Sequence, residues 1–282
     1  MHSYSTYLKS KLGSLYSKNE MKALSRILLM QLADMSSAAI YSDKDRVFSD
    51  ETRQQLYNAI DRLSTHEPIQ YILGETEFCG LRFKVKPGIL IPRPETEELV
   101  ELIINEAKSM VEPQILDIGT GSGCIAVTLA KRIQHSQLEA WDVSDVALES
   151  TQVNATLNNV AVRTVKNNVL LYKTTNRDAN RFNILVSNPP YVRQSERVQM
   201  EKNVLDYEPH LALFVEDADP LLFYRIIATL GIELLQKEGF LYFEINSYLG
   251  QETLDLVESL GYKDVQIIKD ISGKDRILKA RI

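Results

Sequence analysis

Residues 115–123 read Ile115-Leu116-Asp117-Ile118-Gly119-Thr120-Gly121-Ser122-Gly123, a short apolar run that ends in a glycine-rich turn. The residues that follow place Ile125, Ala126, Leu129, Ala130 and Ile133 on one helical face, so the stretch is a strand–turn–helix unit. Outward from it, apolar runs recur at 115–118, 138–143, 160–165, 182–187, 239–245, 264–268 and 276–282. Helical patterns over 124–133, 145–157, 219–236 and 250–260 separate most of them. This alternation predicts an α/β fold with a mostly parallel, seven-stranded sheet covered on both faces. Only a short turn around Ser272-Gly273 precedes the last run. A parallel crossover needs more chain than that, so the last strand is expected to be antiparallel to its predecessor.

The region before the sheet has a different texture. Tyr4, Tyr7, Leu8, Leu12, Leu15 and Tyr16 fall at spacings of three and four, as do Leu24, Ile27, Leu28, Leu32 and Met35. Leu56, Ile60 and Leu63 follow Asp50 and Glu51, acids suited to a helix N-terminus. These patterns predict a small helical bundle whose tyrosines are core filler. From Glu67-Pro68 the pattern changes, and Phe78, Leu81, Phe83 and Val85 around Gly80 predict a β-hairpin. Leu90-Ile91-Pro92-Arg93-Pro94-Glu95-Thr96-Glu97 reads as a connector stiffened by two prolines, with Pro94 in the first turn of the next helix. The expected domains are therefore 1–74 (helical), 75–93 (hairpin and connector) and 94–282 (the α/β domain).

The 282 residues are 44% hydrophobic and 25% charged, with 32 Lys and Arg against 38 Asp and Glu. A net charge of −6 argues against a dedicated binder of phosphate backbones. Two cysteines, Cys79 and Cys124, are too few for a disulfide framework or a four-thiolate metal site, and no metal is expected. No apolar run approaches the ~18 residues of a membrane span, and no basic leader precedes one. A cytoplasmic protein is expected.

The glycine spacing is G-x-G-x-G. It departs from the dinucleotide fingerprint, because position 124 is Cys, and it lacks the Lys of a nucleoside-triphosphate loop. Asp142 ends the next strand, where a carboxylate can accept hydrogen bonds from ribose hydroxyls. Loop and acid together point to an adenosine-containing cofactor. Asp117 would be an odd neighbour for a pyrophosphate but suits a cation. S-adenosylmethionine carries an ammonium and a sulfonium and no phosphate, so electrostatics favour it over a nicotinamide dinucleotide.

A second segment, Asn188-Pro189-Pro190-Tyr191, directly follows the strand at 182–187. Residue frequencies put this tetrapeptide in about one chain of this length in a thousand by chance. It also falls at the C-terminal end of a strand, where α/β sheets bind ligands. A planar amide or exocyclic NH₂ is a weak nucleophile because its lone pair is delocalised. The Asn188 side-chain carbonyl and the Pro189 backbone carbonyl can accept its two hydrogens and drain charge as it attacks a methyl group. The prolines hold these acceptors rigid, and Tyr191 offers a flat face to the NH₂-bearing group. Asn188, Pro189 and Tyr191 are the candidate catalytic residues, and Asn188 to Tyr191 with Arg93 are the candidate substrate contacts. None of the four histidines lies in either motif.

With these motifs, Gln70-Tyr71-Ile72-Leu73-Gly74-Glu75, Glu244-Ile245-Asn246 and the Asp270…Gly273…Arg276 ending, the chain resembles the N5-glutamine methyltransferases of peptide chain release factors over nearly its whole length. The resemblance implies a class I, Rossmann-like methyltransferase domain. It implies transfer of a methyl group from S-adenosylmethionine to the glutamine amide of a release factor's Gly-Gly-Gln loop, leaving S-adenosylhomocysteine. It places the cofactor at Asp117, Gly119, Thr120, Gly121, Ser122, Gly123 and Asp142, with Asn188 near the donor methyl. The family often carries an aspartate near the adenine. Here that place reads Asn167-Asn168-Val169, and Asn168 can still bond the adenine amino group through its carbonyl. The expected partner is a release factor, which the helical region would help to dock, without direct nucleic-acid or membrane binding. A DNA or RNA amino-group methyltransferase would use the same four-residue turn and is the alternative.

Overall fold

The computed structural model describes residues 1–43, 45–175 and 179–282. The chain divides into two units, Met1–Gly74 with Glu201–Tyr207, and Glu75–Met200 with Glu208–Ile282.

The first unit is helical. Its main helices are His2–Leu12, Lys18–Leu32 and Asp50–Leu63, the three that the spacing predicts. Serines set the starts of the second and third. Ser17 and Glu20 form a reciprocal capping box, and the Ser49 hydroxyl accepts from the Thr52 N–H. Tyr4, Leu8, Leu12, Leu28, Leu29, Leu56, Ile60 and Leu63 form the core. The second helix turns Leu29 inward and leaves Ile27 38% exposed, although Ile27 lies on the face that the spacing predicts to be buried. Two further helices, Ser37–Ser42 and Ile69–Leu73, are too short to show a period. The tyrosines act as filler with a polar tip: Tyr7 stacks on Tyr57 and donates to Asp61 at 2.8 Å, and Tyr16 donates to the Leu63 carbonyl. A helix from later in the chain, Lys202–Tyr207, joins this unit, and its Tyr207 hydroxyl bonds Thr65.

The second unit opens with the hairpin β1 (Glu75–Phe78) and β2 (Leu81–Lys84), whose Phe78 and Phe83 meet edge to face. Cys79 sits in the turn between them at φ +49°, not in a strand. The remaining strands are β3 (Gln114–Ile118), β4 (Gln137–Asp142), β5 (Arg163–Lys166), β6 (Phe182–Ser187), the short pair β7 (Val192–Arg193) and β8 (Phe214–Val215), β9 (Leu235–Glu244), β10 (Lys263–Lys269) and β11 (Asp275–Arg281). Seven of them form one sheet in the order β10-β11-β9-β6-β3-β4-β5. β3, β4, β5, β6 and β9 pair in parallel, and β11 lies antiparallel between β9 and β10. The turn into β11 is tight because Asp270 gathers it, its Oδ1 accepting from the Ser272 and Lys274 N–H groups.

Both faces of the sheet are buried, which is why its strands read as nearly continuous apolar runs. Ile115, Ile184, Val186 and Tyr242 face one layer, with helices Pro94–Ala107, Cys124–Arg132 and Asp145–Leu157. Leu116, Leu185, Leu241, Phe243 and Leu278 face the other, with helices Leu222–Leu234 and Gly250–Ser259. The predicted helix 219–236 is shorter, because Leu235 already pairs with Phe182. Pro94 is the first residue of its helix, as expected. No helix among the described residues is long and apolar enough to cross a membrane.

Candidate active site

Strand order decides where a ligand can sit. The chain runs from β3 to β4 and β5, then returns to lay β6 on the other side of β3. At such a switch point the connections leave in opposite directions and open a crevice at the strands' C-terminal ends. Ile118 pairs with Ser187 across β3 and β6, and the Ser187 hydroxyl donates to the Ile118 carbonyl at 2.7 Å. Their next residues are Gly119 and Asn188, so the glycine turn and the Asn-Pro-Pro-Tyr segment begin side by side.

A cavity of about 360 Å³ opens at this point. Gly119, Thr120, Gly121, Ser122, Asp142, Asn168, Val169, Asn188, Pro189, Pro190 and Arg93 line it. Asp117, Gly123 and Tyr191, which the sequence also nominates, stand outside its wall. Trp141 and Thr96 join the lining without having been singled out by sequence.

The turn takes its shape from backbone bonds. The Gly119 and Thr120 N–H groups donate to the Trp141 carbonyl at 2.8 and 3.1 Å, which ties the loop to the end of β4. Gly121, at φ +54°, has open space where a side chain would stand. Gly123, at φ +79°, is required for a different reason. A Cβ there would lie 2.9 Å from Thr151, on the helix packed behind it. That helix also holds the loop through Asn154, whose Nδ2 donates to the Ser122 carbonyl at 2.8 Å. Asn154 exchanges two more bonds with the backbone of Lys84 in β2, so one buried amide fastens the hairpin and the loop together.

Two acids serve the loop differently. Asp142 accepts from the Gly121 N–H at 3.0 Å and the Ser144 N–H at 2.9 Å, and each oxygen keeps acceptor capacity. Burial pushes its pKa up, while these backbone bonds pull it back. Asp117 lies fully buried under the turn, and neither of its oxygens has a hydrogen-bond partner. Burial pushes this carboxyl up to about 7, against the pull of the Thr120 hydroxyl and the Ala126 N–H, which fall short of hydrogen-bond geometry. The Thr120 hydroxyl is also buried and unpartnered. Cys124 lines the cavity with a thiol that burial pushes up to about 12, so it is protonated and a poor nucleophile. Asn168 accepts from the Leu170 N–H at 3.0 Å through its side-chain carbonyl, which holds the turn after β5 against the cavity.

Asn188 begins a chain of buried polar groups. Its Nδ2 donates to the Thr96 hydroxyl at 3.4 Å, and that hydroxyl donates to Glu244 Oε2 at 2.6 Å. The Tyr191 hydroxyl donates to Glu244 Oε1 at 3.0 Å, so the ring serves this network and not the cavity wall. Asn246 donates to the Tyr191 carbonyl at 3.0 Å and to Glu196 at 3.0 Å, which fixes the chain just past the two prolines. On the other side, Arg93 is held by the buried Glu208 at 2.6 Å, and Glu208 also accepts from the Ile91 N–H at 3.1 Å. Glu97 faces away from the cavity and accepts from the Cys79 N–H at the hairpin tip. Thr96 stands in the connector that the sequence marks out, but nothing in the pattern pairs it with Glu244, 148 residues away.

The arrangement can hold an adenosine-bearing cation on one side and present a fixed amide acceptor on the other. The family described as "Methyltransferase small domain" matches residues 94–207, and the "PrmC N-terminal domain" matches residues 6–74. The release factor glutamine methyltransferase of Bacteroides thetaiotaomicron is 46% identical over 99% of both chains. That of Flavobacterium psychrophilum is 46% identical over 98% of this chain and 97% of its own. A solved methyltransferase from Pyrococcus furiosus superposes over 72% of this chain and 90% of its own, with a TM-score of 0.51 at 19% identity, and so shares the fold. With nearly full-length identity of this size to the first two, the chain belongs to the release factor glutamine methyltransferase family.

Proposed function

We propose that the chain transfers a methyl group from S-adenosylmethionine to the side-chain amide nitrogen, N5, of the glutamine in the Gly-Gly-Gln loop of peptide chain release factors. The observation that carries this reading is the shared cavity: Asn188 and Pro189 line it directly beside the glycine turn. The names of the full-length relatives support the substrate.

The residues present suit the donor. The buried, unpartnered Asp117 carboxyl lies under the turn, behind the cavity wall, and can compensate an ammonium through its charge across the turn, while Asp142 retains acceptor capacity for ribose hydroxyls. The open space at Gly121 and the lining by Thr120 and Ser122 leave room for close approach. Asn168 and Val169 are assigned to the adenine, and Asn188 to the neighbourhood of the reacting methyl. When bound, the donor supplies a sulfonium-activated methyl group.

The chain's own contribution is positioning. Asn188 accepts one amide hydrogen through Oδ1, and the Pro189 carbonyl accepts the other. The glutamine nitrogen is thereby aimed, and the charge that develops on it meets fixed dipoles. No side chain needs to remove a proton before attack; the nitrogen sheds one proton to solvent after it gains the methyl group, and none of the four histidines lines the cavity. Arg93, neutralised and held by Glu208, is assigned to the mouth.

Residues 1–74, which have a core of their own, are assigned to docking the release factor, residues 75–93 to the connection and residues 94–282 to catalysis. The protein would act in the cytoplasm with its substrate. Incubation with radiolabelled S-adenosylmethionine, a release factor and, separately, RNA and DNA tests the reading. Label in the release factor, lost when its Gly-Gly-Gln glutamine is replaced, is the expected result. Label in nucleic acid alone would overturn it in favour of an amino-group methyltransferase of bases.

A further inference from the structure

We infer that Thr96 is a positioning residue that sets which end of the Asn188 carboxamide faces the substrate. The inference rests on the glutamine-amide reading of the site.

Asn188 can help an incoming amide only as an acceptor. Turned by 180°, it would present its own NH₂ to the substrate NH₂, donor against donor. The side chain therefore needs something to hold Nδ2 away from the cavity, and the Thr96 hydroxyl faces it at 3.4 Å. A hydroxyl could in principle meet either end of an amide, since it both donates and accepts. Here the choice is removed one step further in. Thr96 has one hydroxyl hydrogen, and it goes to Glu244 Oε2 at 2.6 Å, a distance typical of a hydroxyl donating to a charged carboxylate.

Glu244 in turn is held as an acceptor. It is 1% exposed, and its other oxygen receives the Tyr191 hydroxyl at 3.0 Å. Burial pushes its pKa up, and the hydrogen bonds from Thr96 and Tyr191 and the charge of Arg276 pull it back toward the ionised, accepting form. With its hydrogen committed, the Thr96 oxygen offers only lone pairs to Asn188. Nδ2 satisfies them. Oδ1 in that place would set two acceptors face to face with no hydrogen between them. The relay Tyr191–Glu244–Thr96–Asn188 thus converts a buried carboxylate into a fixed amide orientation, across elements 148 residues apart in sequence.

The test compares Thr96→Val, which keeps the shape and removes the hydroxyl, with Thr96→Ser, which restores it. Melting curves, cofactor affinity and methylation of release factor are measured for each. Thr96→Val should lower kcat by about tenfold or more, with the KM for release factor and the Kd for S-adenosylhomocysteine within about threefold of wild type. Thr96→Ser should recover most of the rate. Glu244→Gln is a second route to the same end. Its amide can donate to Thr96 and free the hydroxyl to turn toward Asn188, so it should lower kcat with the same sparing of cofactor affinity. Full turnover by Thr96→Val would overturn the assignment, as would a loss of cofactor binding and melting temperature in step with rate in both variants. If the wild-type protein itself leaves release factor unlabelled, the glutamine reading falls and the assignment falls with it. A labelled wild type with an equally active Thr96→Val removes only the assignment.

Discussion

The backbone carbonyl of Asn188 lies 4.0 Å from the point where a Cβ would stand on Gly119. The two residues are 69 positions apart in the chain, yet each is the first residue beyond a paired strand end, Ile118 beside Ser187. The switch in strand order makes them neighbours. It also explains why the glycine turn and the Asn-Pro-Pro-Tyr segment, each recognisable alone, can share one cavity.

The glycines of the loop should differ in cost. Gly121→Ala meets open space and should destabilise by about 1 kcal/mol, from the left-handed backbone alone. Gly123→Ala adds a clash with Thr151 and should cost about 2–4 kcal/mol. Urea unfolding of the two variants checks the order. Equal midpoints would show that Thr151 gives way freely.

Asn188→Ala should remove turnover while leaving cofactor binding measurable, because it deletes the proposed acceptor of the substrate amide and leaves the glycine turn assigned to the donor untouched. Single-turnover rates together with calorimetric binding of S-adenosylhomocysteine separate the two effects. Wild-type turnover would refute the acceptor role.

Asp117 should give the ligand-free protein an unusual pH response. Its folded pKa is about 7, against an ordinary value of 3.8, so between those values the folded chain binds the proton more tightly than the unfolded chain. Its contribution to stability is complete below pH ~4 and is lost as pH rises through ~7, an effect of at most about 4 kcal/mol. Asp117→Asn keeps a neutral group at every pH. Its melting temperature relative to wild type should therefore rise from pH 5 to pH 8. A bound ammonium favours the ionised form, so cofactor affinity should increase over the same range with release of a proton. Calorimetry in buffers of different ionisation enthalpy would detect that proton, and its absence would sink the proposed pairing.

Asn154→Leu should destabilise by about 2–4 kcal/mol, since it strands the Lys84 N–H and two carbonyls in a buried place. It should also weaken cofactor binding, because the Ser122 carbonyl loses its anchor. Thermal melts with and without S-adenosylhomocysteine measure both. A stability loss with unchanged ligand-induced shift would confine Asn154 to the hairpin.

Local patterns made much of the fold legible. The runs at 115–118 and 182–187 are apolar on both faces because helices cover both, so strands and their parallel pairing could be read from periodicity and loop length. The Ser272-Gly273 turn was too short for anything but an antiparallel return. Boundaries failed where tertiary pairing overrode local preference, as at Leu235, which leaves its helix to pair with Phe182. Ile27 failed because helix packing, and not spacing, chose Leu29 for the core.

By itself the sequence determined the chemistry-bearing motifs: a glycine turn after Ile118, an acid at the end of the next strand and an amide before two prolines. Those depend on neighbours along the chain, where residue type and backbone preference suffice. Only the tertiary structure decided that Tyr191 turns to Glu244, that Glu208 reaches Arg93, and that Thr96 stands between Glu244 and Asn188. A hydrogen bond requires two groups within about 3 Å of each other, and for residues 53 to 148 positions apart that closeness is set by strand order and packing, which no local pattern records.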